Sequence, residues 1–191
     1  GPGFFEHFLE DKDSSAHFME YVNDLKSFVH KHDSQAILVK LEPELDDDTK
    51  LDLAQMGLFK SKADLQFKAT IFVDISKSEE EIINSFKQKT RYNIRLAERK
   101  QVKTEIRDMD DNGVDLMYSL MQATQKRAGF FLRQKDYFAN YWKALADAGM
   151  GQLIVATHEG DVLGGVFVTI FGSKGYYKDG GSFETKRNLM A

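Results

Sequence analysis

The 191-residue sequence has no cysteine, two prolines and one tryptophan. The absence of cysteine excludes a disulfide scaffold, a thiol nucleophile and a cysteine-ligated metal site. No apolar run is close to the length of about 18 residues that a membrane span needs. The sequence also lacks a secretory signal, because no basic segment precedes an apolar one at its start. We therefore expect a soluble cytoplasmic protein. The first residue is Gly1 rather than methionine, which indicates a processed chain or a piece of a longer one.

Motifs with fixed catalytic or cofactor-binding spacing are also absent. The sequence has no metalloprotease helix motif, no P-loop and no dinucleotide fingerprint. Its five histidines are scattered, so we predict no metal site. The glycine-rich turn with which coenzyme-A-dependent acetyltransferases bind pyrophosphate is missing as well. An ordinary acetyl-CoA enzyme is therefore disfavoured.

Charge is distributed unevenly along the chain. Residues 1–48 have a net charge of −8 and residues 49–191 a net charge of +4. Between Lys87 and Lys103 lie seven cations and one anion, a block that can attract polyanions from a distance. The alternative for such a block is a solvated helix face.

Periodicity in the second part of the chain predicts alternating helices and strands. Residues 67–75 alternate like a strand, and Ser78 with Glu81 forms a capping box that opens one long helix to about Lys100. Further along, the pattern predicts strands at 102–106, 152–157, 162–171 and 175–179, and helices at 114–128 and 136–148. The segment Gly180-Gly181-Ser182 is expected to end the last strand, and both glycine pairs (164–165 and 180–181) are expected to permit close backbone approach.

This order of elements is that of an acetyltransferase (GNAT)-like α/β fold, with a mixed sheet flanked by helices. The first 65 residues, with a helix at 4–32, a short strand at 36–41 and a short helix at 50–56, match only part of such a unit. Phe138, Tyr141 and Trp142 are predicted to form a core cluster.

Four stretches of the sequence, in consistent order, carry a resemblance to a known family. It resembles the Fem family of peptidoglycan bridge-forming, tRNA-dependent aminoacyltransferases. The stretches are 89–97 (KTRYNIRLA), 129–133 (GFFLR) with 136–138 (DYF), 164–167 (GGVF), and 180–183 (GGSF) with 187–190 (RNLM).

The resemblance implies a chain that is part of two tandem GNAT-like domains. Residues 1–65 correspond to the C-terminal part of a first domain and residues 66–191 to the N-terminal part of a second. The catalytic residues of the family are then expected beyond Ala191. The implied reaction moves an amino acid from aminoacyl-tRNA to the stem peptide of a cell-wall precursor, which is either UDP-MurNAc-pentapeptide or a lipid-linked form. It needs no cofactor.

Three residues match precursor-binding positions of that family. Arg133 precedes Tyr137 by four residues, so both share one face if the segment is helical. An arginine offers a planar fork to a diphosphate and a tyrosine adds a hydroxyl donor. Tyr177, on the last strand, is the third member. The alternatives are an ion pair of Arg133 with Asp136 and two core tyrosines.

A basic row repeats every four residues along the predicted long helix. It can follow the phosphate backbone of tRNA or face the anionic membrane leaflet, or it can serve solubility alone. The members of the row are Lys87, Arg91, Arg95 and Arg99.

Several alternatives stay open at this stage. Asp179 is either a general base or a turn-forming residue before the glycine pair. The protein is either such an aminoacyltransferase, an N-acyltransferase with another acyl donor, or a non-catalytic module that binds RNA or precursor. Exposed edge strands at both ends of the chain predict self-association.

Overall fold

The structure is a computed structural model that describes residues 14–33, 35–36, 38–40, 53–55, 57–62 and 70–190. The chain divides into two compact units, residues 1–72 and 73–191. The sequence predicted this boundary after residue 65, slightly before the division observed after residue 72. That the two units are parts of tandem acetyltransferase-like domains stays a prediction.

In the first unit, helix α1 spans Ser14–His32. Its residues Phe18 and Val22 are four apart, share one face and are buried against Leu53 and Leu58. The strand predicted at 36–41 is not found at residues 36 and 38–40, and residues 53–55 of the predicted helix at 50–56 form a turn. The other residues of these two predictions, and residues 4–13 of the first helix, lie outside the described residues.

The second unit begins with two short helices where the sequence predicted one. The capping box of Ser78 and Glu81 is confirmed and opens helix α2, Glu79–Ser85. The backbone is then extended at residues 86 and 87, and helix α3 spans Gln88–Arg99. The Arg91 guanidinium donates to the carbonyl oxygen of Phe86 at 2.5 Å and to that of Asn84 at 3.3 Å. This side chain therefore satisfies carbonyls that the end of α2 leaves unpaired, which stabilises the break.

The strand predicted at residues 67–75 is not found in its described part. Residues 70–74 belong to no strand, and residues 67–69 lie outside the described residues. Ile71 is 90% exposed and Phe72 is 71% exposed, so alternation of apolar residues here does not correspond to a buried face.

Four strands form the sheet of the second unit, in the order β1-β2-β3-β4. Each of the three strand pairs is antiparallel, so a mixed sheet is not observed among the described residues. The strands are β1 (Lys103–Arg107), β2 (Gly151–His158), β3 (Asp161–Phe171) and β4 (Lys174–Ser182). The prediction that the last strand stops at residue 179, before Gly180-Gly181-Ser182, is wrong, because these three residues also pair with β3.

Two helices, α4 (Asp111–Ala128) and α5 (Lys135–Asp147), cover one face of this sheet. Asp110 caps α4 by accepting from the Gly113 amide at 2.8 Å. The predicted cluster of Phe138, Tyr141 and Trp142 is confirmed, with Trp142 fully buried. The α/β class predicted from the sequence is therefore confirmed. The largest fully buried side chains are those of Trp142, Phe167, Met117, Leu120, Leu153 and Val155.

Glycines in β3 and β4 let helix α4 approach the sheet closely, as predicted. A Cβ atom on Gly181 would lie 2.4 Å from the carbonyl carbon of Leu120, and one on Gly165 would lie 3.0 Å from its Cδ1. Arg127 of α4 reinforces the contact by donating to the carbonyl oxygen of Ser182 at 2.5 Å and to its hydroxyl at 2.9 Å.

We predict that Gly181→Ala lowers the free energy of unfolding by about 2–3 kcal/mol, since the new methyl group meets helix backbone that has no room to move. Gly175→Ala, on the same strand, is the matched control. Its Cβ would find its nearest neighbour, Val168 Cγ1, at 3.8 Å, so we expect a change within about 0.5 kcal/mol. Urea denaturation measures both, and equal effects would contradict the close-approach argument.

Candidate functional site

A cavity of about 380 Å³ opens between helix α5 and strand β4. It is lined by Tyr137, Asn140 and Tyr141 of the helix and by Lys178 of the strand. Tyr137 and Tyr141 are one helical turn apart, with ring centroids 5.8 Å apart and ring planes at 69°. This edge contact aligns the two rings along the cavity wall.

Arg133 extends this aromatic wall in the direction of the N-terminus of α5. Its guanidinium carbon lies 4.7 Å from the centroid of the Tyr137 ring, within cation–π distance. The two predicted residues are thus in contact, but not through helical geometry, because α5 begins only at Lys135. The backbone of Arg133 is held by the Tyr118 hydroxyl, which donates to its carbonyl oxygen at 3.0 Å.

A β-bulge places two consecutive residues of β4 on the side of α5. Phe167 pairs with Asp179 and Val168 with Tyr177, so Lys178 has no partner residue on β3. The Lys178 ammonium lies 5.2 Å from the centroid of the Tyr141 ring and 3.7 Å from Oδ1 of Asp179. Without the bulge, side chains 178 and 179 would alternate between the two faces of the sheet.

Asp179 lies next to the cavity residues Lys178 and Tyr141, with its side chain 10% exposed. Its Oδ2 accepts from the indole Nε1 of Trp142 at 3.0 Å and from the Tyr141 hydroxyl. Burial raises the pKa of Asp179 to about 6 from its ordinary value of 3.8, and burial lowers the pKa of Lys178. The turn-forming interpretation of Asp179 is wrong, since the residue lies within a strand.

Tyr177, the third predicted binding residue, lies on the other face of the sheet. It pairs with Val168, whose side chain alternates with that of the buried Phe167. Its own side chain is 71% exposed. The structure thus brings Arg133 and Tyr137 together but separates Tyr177 from them by the thickness of the sheet. Neither tyrosine belongs to the core, since Tyr137 is 53% exposed.

The predicted basic row is interrupted in the structure. Lys87, Arg95 and Arg99 are exposed, whereas Arg91 is half-buried and bonded to the end of α2. Three cations of the row are therefore accessible to an anionic partner, and the fourth has a structural role.

A second cavity, of about 280 Å³, lies near the C-terminal end of β4. The Lys186 ammonium at its edge is 3.0 Å from carboxylate oxygens of both Glu159 and Asp161, so its charge is already neutralised. This cavity is lined by Asn93, Leu163, Ser182, Phe183, Thr185, Lys186, Arg187 and Met190.

Two findings concern the described parts of the chain as a whole. Within them, every helix is too short or too polar to span a membrane. The same residues contain no group of three or more histidine or acidic side chains placed to share a metal ion.

Sequence reasoning did not identify Asn140 and Lys178 as cavity residues, and it assigned Tyr141 only to the core. The four-residue spacing of Tyr137 and Tyr141 signals their shared face. Lys178 gave no comparable signal, because its direction depends on the bulge.

A meander of antiparallel strands covered on one face by two helices is the arrangement of an acetyltransferase-like α/β domain. Residues 49–159, more than half of the chain, match the FemAB family. The protein belongs to this family.

Similar proteins of known name cover the chain only in part. The chain is 30% identical over 132 residues to the "Lipid II:glycine glycyltransferase" of Staphylococcus aureus strains USA300 and NCTC 8325. The matched region covers 63% of this chain and 31% of each of those proteins. The chain thus spans about a third of the length of these curated relatives. The crystal structure of FemX matches with a TM-score of 0.69 and 22% identity, over 90% of this chain and 62% of that one. This likeness confirms the predicted fold.

We predict that Asp179 makes the stability of the protein depend on pH. Because its folded-state pKa of about 6 exceeds its ordinary value of 3.8, the folded protein binds this proton more tightly than the unfolded chain does. The resulting stabilisation is complete below the ordinary value and is lost as the pH rises through about 6. It amounts to at most about 3 kcal/mol.

Urea denaturation of the wild type and of Asp179→Asn at several pH values measures this effect. The stability of the wild type relative to the variant should fall between about pH 4 and about pH 7. A difference that stays constant over this range would show that the Asp179 carboxyl titrates normally.

We also predict that Arg91→Gln lowers the free energy of unfolding by about 1 kcal/mol, because carbonyls at the end of α2 lose their donor. Arg95→Gln, an exposed member of the same row, is the control and should change stability by less than about 0.5 kcal/mol. If the two variants were equally stable by thermal denaturation, the structural role of Arg91 would be refuted.

Proposed function

We propose that this chain is part of an aminoacyltransferase of peptidoglycan bridge synthesis, which moves an amino acid from aminoacyl-tRNA to the stem peptide of a cell-wall precursor. Membership of the FemAB family and the similarity to the glycyltransferase of Staphylococcus aureus support this proposal. The reaction is attack of an amine on an aminoacyl ester. The amine nitrogen bonds to the ester carbonyl carbon as the bond from that carbon to the ribose oxygen of the tRNA breaks. The proton that the amine loses ends on the released ribose hydroxyl.

The contact between Arg133 and Tyr137 beside the cavity is the observation that carries the proposal. The tyrosine ring contacts the guanidinium of Arg133, and the arginine as a whole is exposed, so its planar donor fork is accessible to a ligand. Such a fork binds a phosphate oxygen pair through two parallel hydrogen bonds. We therefore assign the Arg133–Tyr137 pair to the diphosphate of the precursor, whether that precursor is linked to a nucleotide or to a lipid.

The donor, aminoacyl-tRNA, is assigned to the exposed side of helix α3. Lys87, Arg95 and Arg99 are accessible cations, and Tyr92, three residues before Arg95, is 57% exposed. Cations that follow a phosphate backbone together with an exposed aromatic ring are typical of single-stranded RNA binding. If the same cations instead face the anionic membrane leaflet, anionic vesicles rather than tRNA will bind to them.

We predict that Arg133→Ala weakens binding of UDP-linked muramyl-pentapeptide at least about tenfold, because a charge-assisted hydrogen-bond pair is lost. Arg133→Lys keeps the charge but not the fork and should fall between the wild type and the alanine variant. Calorimetric titration at a fixed salt concentration measures the three affinities.

The matched control is Arg107→Ala, an exposed arginine on β1 that pairs with Glu105. It should leave the affinity for the precursor unchanged. If folded wild-type protein binds no precursor, or if Arg133→Ala and Arg107→Ala behave alike, the assignment of the precursor to this surface is wrong. Binding of tRNA without binding of precursor would favour an RNA-binding module instead.

A further inference from the structure

We propose that the cavity between α5 and β4 is a subsite for the carboxylate end of a peptide, with Lys178 as its cation and Asn140 as its amide partner. The proposal rests on the proposed function, because the peptide would be the stem peptide of the precursor whose diphosphate Arg133 binds. It adds to that function a second point of contact, at residues that neither the family resemblance nor the relatives assign.

The Lys178 ammonium lies at the cavity, and its neighbours do not occupy all of its hydrogen-bond donors. The bulge aims its side chain towards α5, where the ammonium lies over the Tyr141 ring and 3.7 Å from one oxygen of Asp179. An ammonium has three donors, and the side chain of Lys178 remains 49% exposed. Donors are therefore free to meet a ligand in the cavity.

The supports of Lys178 are themselves fixed. Asp179 cannot rotate freely, because its second oxygen accepts from Trp142 and from Tyr141. Trp142 is fully buried in the core. The position of the ammonium thus depends on a bonded carboxylate and an aromatic ring rather than on a flexible surface chain, as a preorganised subsite requires.

The chemistry of the cavity favours a carboxylate over a phosphate. It offers one ammonium, whose charge is partly offset by Asp179, and this suits a ligand group with a single negative charge. The amide of Asn140 has both a donor and an acceptor and matches a peptide bond, while the two tyrosine rings provide apolar walls. The planar guanidinium fork of Arg133, next to Tyr137, matches the geometry of a phosphate better than a single ammonium does.

The two subsites form one continuous surface. Arg133 lies 4.7 Å from the Tyr137 ring, the Tyr137 and Tyr141 rings are 5.8 Å apart, and Lys178 lies 5.2 Å from the Tyr141 ring. A ligand that contains a diphosphate and a peptide carboxylate can therefore span both cations along the same aromatic wall.

The test compares three small probes by NMR titration of the isotope-labelled protein: N-acetyl-dialanine, its C-terminal amide and phenyl phosphate. We expect the acid to shift the signals of residues lining the cavity and to bind at least about tenfold more tightly than the amide. Lys178→Met keeps the aliphatic stem over Tyr141 and should abolish the preference for the acid. Lys103→Met, an exposed lysine on β1, is the matched control and should retain it.

A second variant covers the case in which Lys178→Met fails to fold. Asn140→Asp replaces the amide with a negative charge at an exposed helix position on the cavity, and it should weaken binding of the acid more than binding of the amide. Equal binding of acid and amide by the wild type, or an acid preference that survives Lys178→Met, would overturn the proposal. Tighter Lys178-dependent binding of phenyl phosphate than of the acid would overturn it too, in favour of a phosphate subsite.

The outcomes also separate this proposal from the proposed function. Wild-type protein that binds the UDP-linked precursor through Arg133 but does not distinguish acid from amide refutes the carboxylate subsite alone. Wild-type protein that binds the dipeptide acid through Lys178 but not the precursor supports a peptide-carboxylate site and refutes the precursor assignment.

Discussion

The contact between helix α4 and the glycines of β3 and β4 sets the position of everything around the cavity. Leu120 lies so close to Gly181 that a single methyl group would not fit between helix and strand. This contact packs β4 directly against helix α4, and Arg127 of α4 donates a hydrogen bond to the end of the strand. Because β4 packs this closely against the helices, Asp179 reaches the indole of Trp142, which belongs to the neighbouring helix α5. The site is thus built on a backbone contact and not on side-chain packing alone.

Asp179 joins the hydrophobic core to the cavity. A carboxylate that loses water on burial must find hydrogen-bond donors, and here both donors come from aromatic side chains that also belong to the core cluster. Its other oxygen faces Lys178. The same side chain therefore holds Tyr141, which lines the cavity, and helps to position the ammonium of Lys178. Mutations in the core should consequently be felt at the site.

Much of the second unit could be predicted from local sequence patterns. The capping box at Ser78 and the two apolar strand segments at 152–157 and 162–171 are strong local signals, and all three are confirmed. The break at residues 86–87 was missed because it depends on Arg91, whose bond to the carbonyl of Phe86 forms only once the chain turns. Apolar periodicity on both sides of this break suggests one helix.

The candidate site was predictable only in part, for a related reason. The four-residue separation of Arg133 and Tyr137 predicted their proximity for a helical segment, and the two are in contact even though the arginine precedes the helix. Tyr177 was grouped with them on the family resemblance, and period-2 alternation does not tell which face of the sheet a strand residue takes after a bulge. A register shift of one residue moves every side chain beyond the bulge to the opposite face of the sheet. The same shift directs Lys178 to the cavity.

Trp142 is the single tryptophan of the sequence, and its indole nitrogen is bonded to the Asp179 carboxylate next to the cavity. The intrinsic indole fluorescence of the protein therefore has one source, located at the junction of core and site. Its emission is therefore expected to respond when the Asp179 carboxyl gains or loses a proton and when a ligand contacts the neighbouring Tyr141. The fold thus contains its own optical probe, which requires no label and no substitution.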